Sequence, residues 1–214
     1  GRCKDDVVLM AVTKTKPAEV IQTLMNLGVR VFGENYPDET IKKIDVFANA
    51  ADDVQLCMIG TLQSRKAKII TTHFDAFHSV DSLKTAERVD QLLSVENRMM
   101  EALIEINVGG ESSKHGWDIS QTNALFHDLE RILSLKRLKF SGLMTLPPYT
   151  ADGETNRAYF AMMRELLEKI NRTFGTAWQT LSMGTSDDFP VAIEEGATIV
   201  RIGTKLVGAR SYRN

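Results

Sequence analysis

The sequence predicts an α/β protein folded as a single (β/α)8 TIM barrel, and three observations predict it. Strand-like and helix-like segments alternate along the whole chain, eight strand candidates can be counted, and unusual polar residues gather at strand ends. Eight parallel strands close such a barrel, and its functional groups collect at the C-terminal ends of those strands. A doubly wound open sheet would alternate in the same way. It would, however, carry a G-x-G-x-x-G turn after its first strand, and none is present there.

The first unit is the most legible. Val7 to Lys14 (VVLMAVTK) is an apolar, β-branched run, Pro17 stands where a helix favours its first residue, and Val20, Ile21, Leu24 and Leu27 recur on one helical face. Gly28 then occupies the position of a C-terminal cap. Further strands are expected at Val29 to Asn35, Gln55 to Gly60, Phe74 to Val80, Ala102 to Val108, Leu138 to Met144, Thr180 to Gly184 and Thr198 to Thr204. Between them, Leu83, Ala86, Val89 and Leu93 share a face, as do Leu125, Leu129, Ile132 and Leu133. Met162, Met163, Leu166, Leu167 and Ile170 form a third apolar stripe, whose methionines read as core filler. The cluster PPYTADG, Pro147 to Gly153, reads as a loop after the sixth strand. No linker divides the chain, so residues 1–214 are expected to be one domain.

Composition narrows the function. With 26 basic and 28 acidic side chains the net charge is −2, so no overall positive field exists to attract nucleic acid or an anionic membrane. A small molecule is the expected ligand. Hydrophobic residues at 43% and charged residues at 25% describe an ordinary globular chain. No apolar run approaches the roughly 20 residues that cross a bilayer. The two cysteines, Cys3 and Cys57, form no CxxC pair, which fits a reducing, cytoplasmic compartment. The histidines, His73, His78, His115 and His127, lack metal-ligand spacing, and no metal is expected. A monomer is expected because no heptad seam is visible. The chain begins at Gly1 and enters its first strand almost at once, so an N-terminal segment is expected to be missing.

The strand-end residues carry the chemistry. Lys14 is expected to close strand one, Glu34 and Asn35 strand two, and Asn107 strand five; Ser182 and Gly184 fall in strand seven, and Arg201, Gly203 and Thr204 in strand eight. An amine at the end of an apolar strand is partly withdrawn from water, which favours its neutral form, the form that attacks aldehydes. A lysine snorkelling out of the barrel mouth is the plain alternative. The glycine-bearing segments SMGTS (Ser182 to Ser186) and RIGT (Arg201 to Thr204) follow strands seven and eight, whose loops often bind phosphate. Asp187 and Asp188 would repel such an anion unless they cap the following helix, which is the expectation here. Arg201 alternates with Ile199 and Gly203 and so faces one side of its strand. Inside a barrel it needs an acceptor, either a ligand such as a pyridine nitrogen or a structural glutamate.

These residues also carry a resemblance. AVTKTKP from Ala11, FGENY from Phe32, IGTLQ from Ile59, SVDS from Ser79, GLM from Gly142, LSMG from Leu181 and RIGTKLVGAR from Arg201 occur in that order along nearly the whole chain. Together they resemble the pyridoxal phosphate homeostasis proteins. The resemblance implies a racemase-like barrel of fold type III without a second β domain, holding pyridoxal 5′-phosphate (PLP) as a Schiff base on Lys14. It implies that Ser182, Gly203 and Thr204 hold the phosphate, that Arg201 meets the pyridine nitrogen, and that Asn35 lies close to the ring. It further implies a cofactor carrier that serves apo PLP-dependent enzymes and has no established catalysis, so no catalytic residue is assigned. Departures from the family pattern are Cys57 for histidine, Arg65 for asparagine, Asp38 for glutamine, and Thr185 and Phe189 for methionines. Two alternatives share Lys14: a PLP-dependent amino-acid racemase, which needs acid and base groups on both faces of the substrate carbon, and an aldolase with a substrate Schiff base.

Overall fold

The computed structural model describes residues 2–111, 113–150 and 152–208, so Ala209 and Arg210 of the RIGTKLVGAR motif lie outside the described residues. Nine strands occur among them: β1 (Val8–Val12), β2 (Val31–Glu34), β3 (Gln55–Met58), β4 (Ala76–Val80), β5 (Met100–Asn107), β6 (Trp117–Asp118), β7 (Leu138–Thr145), β8 (Thr180–Ser182) and β9 (Ile199–Ile202). Every pairing is parallel. The ring runs β1-β2-β3-β4-β5-β7-β8-β9, and β9 returns to β1 with Val8 opposite Ile199. The two-residue β6 is an appendage on the end of β5.

All eight expected strands are present, but most are shorter than the apolar runs that announced them. Lys14 lies two residues beyond β1 instead of closing it, and Asn35 lies just past β2. Gly203 and Thr204 are not in β9; they open a four-residue helix, Thr204–Val207. Hydrophobic pattern reports burial, and burial continues past the last ladder hydrogen bond wherever the chain still lines the barrel.

Helices α1 (Ala18–Asn26), α2 (Pro37–Ile41), α3 (Asp45–Ala48), α4 (Ala67–His73), α5 (Leu83–Glu96), α6 (Thr122–Ile132), α7 (Arg157–Phe174), α8 (Phe189–Glu194) and α9 (Thr204–Val207) connect the strands. Their buried faces match the expected stripes with two exceptions. Leu27 is largely exposed because it is the C-cap residue, where the helix has already unwound; Met162 sits at the edge of the stripe formed by Met163, Leu166, Leu167 and Ile170. After Leu27, Gly28 adopts φ +92° while its N–H bonds Met25 O and the Val29 N–H bonds Leu24 O. This is the Schellman arrangement, which glycine enters without a Cβ penalty.

Strand alternation divides the core. One face of β1 and β3 packs Met10 and Cys57 with Ala76, Val31, Ile59 and Ile199 inside the ring. The other face sends Ala11 and Phe32 outward against Ile21, Leu24 and Met25 of α1. The largest cluster joins Phe77, Ala102, Ile104 and Leu143 of the strands to α4 through α8. Among the described residues no helix is long and apolar enough to cross a membrane.

The tightest backbone approach is between β7 and β8, where a Cβ on Gly142 would stand 1.9 Å from the Thr180 carbonyl oxygen. Backbone cannot yield there without parting two strands of the ring. Gly142→Ala is therefore expected to lower unfolding stability by at least roughly 2 kcal/mol in urea titration, with Gly110→Ala, whose Cβ meets nothing, as the milder comparison.

Candidate cofactor cavity

At the C-terminal ends of the strands the barrel opens into a cavity of about 230 Å³. Lys14, Asn35, Arg201, Gly203 and Thr204 all line it, so five of the six expected site residues, contributed by β9 and by the segments that follow β1, β2 and β9, meet in one space. Thr185, Ser186 and Asp187 from the loop after β8 add to the wall, and Val12, Ile59, Met144 and Leu146 supply apolar surface.

Arg201 forms the floor. Only 5% exposed, it donates from Nη1 to the Ser182 carbonyl at 2.6 Å and to Ser182 Oγ at 2.8 Å, and from Nη2 to the Thr145 carbonyl at 2.6 Å. One guanidinium thus ties β9 to β8 and β7 inside the ring. Burial pulls its pKa down to about 10, opposed by the negative charges of Glu105 and Asp188. The structural alternative, an ion pair with a glutamate, is replaced by these carbonyl contacts, with Glu105 acting through its field. Ser182, the sixth expected residue, does not line the cavity; its hydroxyl is occupied by Arg201 and its side chain is fully buried.

Two interior groups stand near Arg201. The Glu105 carboxyl lines the cavity, and burial together with the neighbouring Asp81 raises its pKa to about 7 while Arg201 opposes the rise. His78, on β4, is pushed down to about 3 by burial and by Arg201, so it is a neutral core histidine. Buried Asn35 Oδ1, His78 Nδ1 and Glu105 Oε2 have no hydrogen-bond partner. Unsatisfied polar atoms cost free energy, and the two on cavity-lining residues, Asn35 and Glu105, are a capacity for bonding a ligand.

The turn that carries Lys14 is held from outside the ring. Thr15 has φ +63°, and the Lys16 N–H returns to the Thr13 carbonyl at 3.1 Å. Glu34, expected at the site, instead lies behind this turn: it is fully buried, pairs with Lys43 Nζ at 2.8 Å and accepts from Thr13 Oγ1 at 2.6 Å. Burial raises the Glu34 pKa, and Lys43 opposes that rise. Asn107 is likewise outside the cavity, where its Nδ2 bonds the Glu111 carbonyl.

The two aspartates part company. Asp188 occupies the N-cap position of α8 yet makes no cap bond; its carboxylate turns back to Thr185 N at 2.6 Å, Thr185 Oγ1 and Asn156 Nδ2. Asp187 lines the cavity. The expectation that both cap the helix is therefore wrong, because the Thr185 turn offers Asp188 two donors at once. Glu105 was missed in the sequence, although a charge within LIEIN was the available signal. Among the described residues no three His, Cys, Asp or Glu side chains form a group that could hold a metal.

A raised carboxyl binds its proton more tightly in the folded protein, so its contribution to stability falls as pH rises from the ordinary value near 4.5 to about 7. In the protein without ligand, Glu105→Gln should therefore gain on the wild type between pH 5 and pH 8, by roughly 1 to 3 kcal/mol in denaturant titration. A difference that does not change with pH would show that Glu105 titrates normally.

The comparisons with known proteins agree with this architecture. The family profile described as "Alanine racemase, N-terminal domain" matches residues 1–211. A pyridoxal phosphate homeostasis protein of Aquifex aeolicus is 41% identical over 99% of this chain and 91% of its own length, and that of Vibrio cholerae is 40% identical over 99% and 89%. The structure of PipY of Synechococcus elongatus with PLP bound superposes with a TM-score of 0.87 at 33% identity, covering 97% of this chain and 95% of PipY. Alanine racemase of Clostridium difficile shares the fold, with a TM-score of 0.78 at 14% identity over 99% of this chain and 54% of the racemase. A barrel closed by β9 on β1, a lysine-bearing turn facing two glycine loops, and full-length identity above 35% lead to one assignment: the chain belongs to the pyridoxal phosphate homeostasis protein family.

Proposed function

We propose that this protein binds PLP in the barrel cavity, holds it covalently on Lys14, and serves PLP homeostasis as a carrier without catalysis of its own. The carrying observation is that the Lys14 amine and the Gly203–Thr204 loop, from opposite ends of the chain, line a single cavity with Arg201. The residues fit the group. Lys14 would supply the amine that holds the cofactor through its aldehyde. Thr204 and Ser186 bring hydroxyl donors for the phosphate at the mouth of the last two barrel strands, the region where barrels of this class take phosphate.

Arg201 is assigned to the pyridine nitrogen, and its permanent charge discourages protonation there. When bound, PLP supplies an electron-withdrawing ring; an unprotonated ring is a weak electron sink, which suits storage over carbanion chemistry. In this reading Ser182 serves the site by fixing Arg201, and the partnerless Asn35 Oδ1 faces the cofactor's polar substituents. Curated relatives named as homeostasis proteins, and PipY with PLP bound, support the assignment. Unpaired Cys3 and Cys57 agree with work in the cytoplasm, where apo PLP-dependent enzymes would receive the cofactor from a monomer.

Mixing the purified protein with PLP is expected to give a yellow absorbance band that Lys14→Ala abolishes, and borohydride reduction should leave the added mass on the Lys14 peptide. Thr204→Ala should weaken binding by roughly 1 to 3 kcal/mol, the usual loss for a donor to a charged acceptor. Exchange of an amino-acid α-proton at enzymatic rates would replace the carrier with a racemase, and colourless protein that traps a sugar phosphate on reduction would indicate an aldolase.

A further inference from the structure

The Lys14 turn combines two features that call for one explanation. Thr15 is a β-branched residue in the left-handed region, at the third position of a turn closed by the Lys16 N–H on the Thr13 carbonyl. Glycine or asparagine normally fills such a position, and a β-branched side chain there is strained. Strain of this kind persists only where surrounding contacts over-determine the backbone, and such places cluster at functional sites.

Those contacts come from helix α2 and the residue just beyond it. Lys43 Nζ, almost fully buried, lies 2.9 Å from the Thr13 carbonyl and 3.1 Å from the Lys16 carbonyl, so it grips both ends of the turn. The same ammonium pairs with Glu34 at 2.8 Å and Glu39 at 3.0 Å. Glu39 Oε1 in turn accepts the Thr15 N–H at 2.6 Å, the amide of the strained residue itself. Lys43 and Glu39 thus bind backbone atoms on both sides of Lys14, and Glu34 holds the ammonium that does so. A buried pair kept only for stability has no reason to do so, since apolar residues of equal volume commonly serve as well.

We infer that Lys43 and Glu39 are positioning residues, a clamp that holds the Thr13–Lys16 turn in its left-handed form so that Lys14 projects into the cavity and keeps the cofactor. The inference rests on the assignment of Lys14 as the PLP-bearing residue. In the clamp, Lys43 fixes the flanking carbonyls, Glu39 fixes the central amide, and Glu34 with Thr13 Oγ1 fixes the ammonium against β2. Retention of PLP then depends on a group that never touches it.

The test uses Glu39→Ala, Glu39→Gln, Thr15→Gly and Lys43→Met in the full chain. Amide hydrogen exchange at Thr15 and Lys16 is measured without cofactor, and the PLP release rate is measured with an excess apo-enzyme as trap. Glu39→Ala should speed exchange of the Thr15 amide at least tenfold and PLP release at least fivefold, whereas Glu39→Gln, which keeps an acceptor, should restore most of both. Thr15→Gly relieves the strain and should melt within a few degrees of the wild type while still releasing PLP faster. Lys43→Met should match or exceed Glu39→Ala, and if it fails to fold the other three variants decide. Unchanged exchange in Glu39→Ala, or faster exchange with release within twofold of the wild type, would overturn the clamp. If Lys14→Ala retains the yellow band, the covalent assignment itself fails, a result separable from both because the exchange measurement involves no cofactor.

Discussion

The parallel seam between β1 and β9 is the constraint on which the rest of this molecule depends. Without it the sheet would be open, Lys14 would lie at one edge, and Gly203 and Thr204 would lie at the other side of that edge with no common wall. With it, the first and last strands become neighbours, and loops from opposite ends of the chain share one cavity. The loop-closure entropy of joining such distant segments is offset only when the whole ring forms, so the site and the fold are gained together.

The ring is stratified, and the stratification explains how charged groups survive inside it. Met10, Cys57, Ala76 and Ile199 make an apolar layer, above which the C-terminal ends are polar. There Arg201 is accommodated because three carbonyl and hydroxyl oxygens take its donors, and Glu105 because it keeps its proton up to a pH of about 7. His78 is accommodated as a neutral ring. Each buried titratable group is thus either bonded or uncharged, the two states that a low-dielectric interior tolerates. Two of the buried atoms left unbonded, Asn35 Oδ1 and Glu105 Oε2, belong to residues that line the cavity.

Different kinds of residue were legible to different degrees. Strand number and helix faces could be read because burial imposes a period on apolar residues; Leu27 and Met162 misled because a stripe does not announce its own edge. Lys14, Asn35, Arg201, Gly203 and Thr204, which line the cavity, stood out in the sequence because polar or glycine residues interrupt or follow apolar strands at their C-terminal ends. Ser182 carried the same signal, but its hydroxyl was taken by a neighbour that sequence order does not reveal. Glu34 carried the same signal but lies behind the wall, paired with Lys43, and nothing in the local pattern singles out Lys43 or Glu39.

The sequence by itself determined the eight-fold alternation and the end of the barrel where unusual polar residues gather, because these follow from local periodicity and from residue types at strand termini. Only the tertiary structure decided which polar groups face the cavity and which brace it from behind. Facing depends on strand register and ring closure, so a one-residue difference in where β2 ends puts Glu34 behind the wall and Asn35 in front of it. The left-handed Thr15 and the double duty of Glu39 were equally invisible, since backbone strain is set by contacts between segments and not by the residue that bears it.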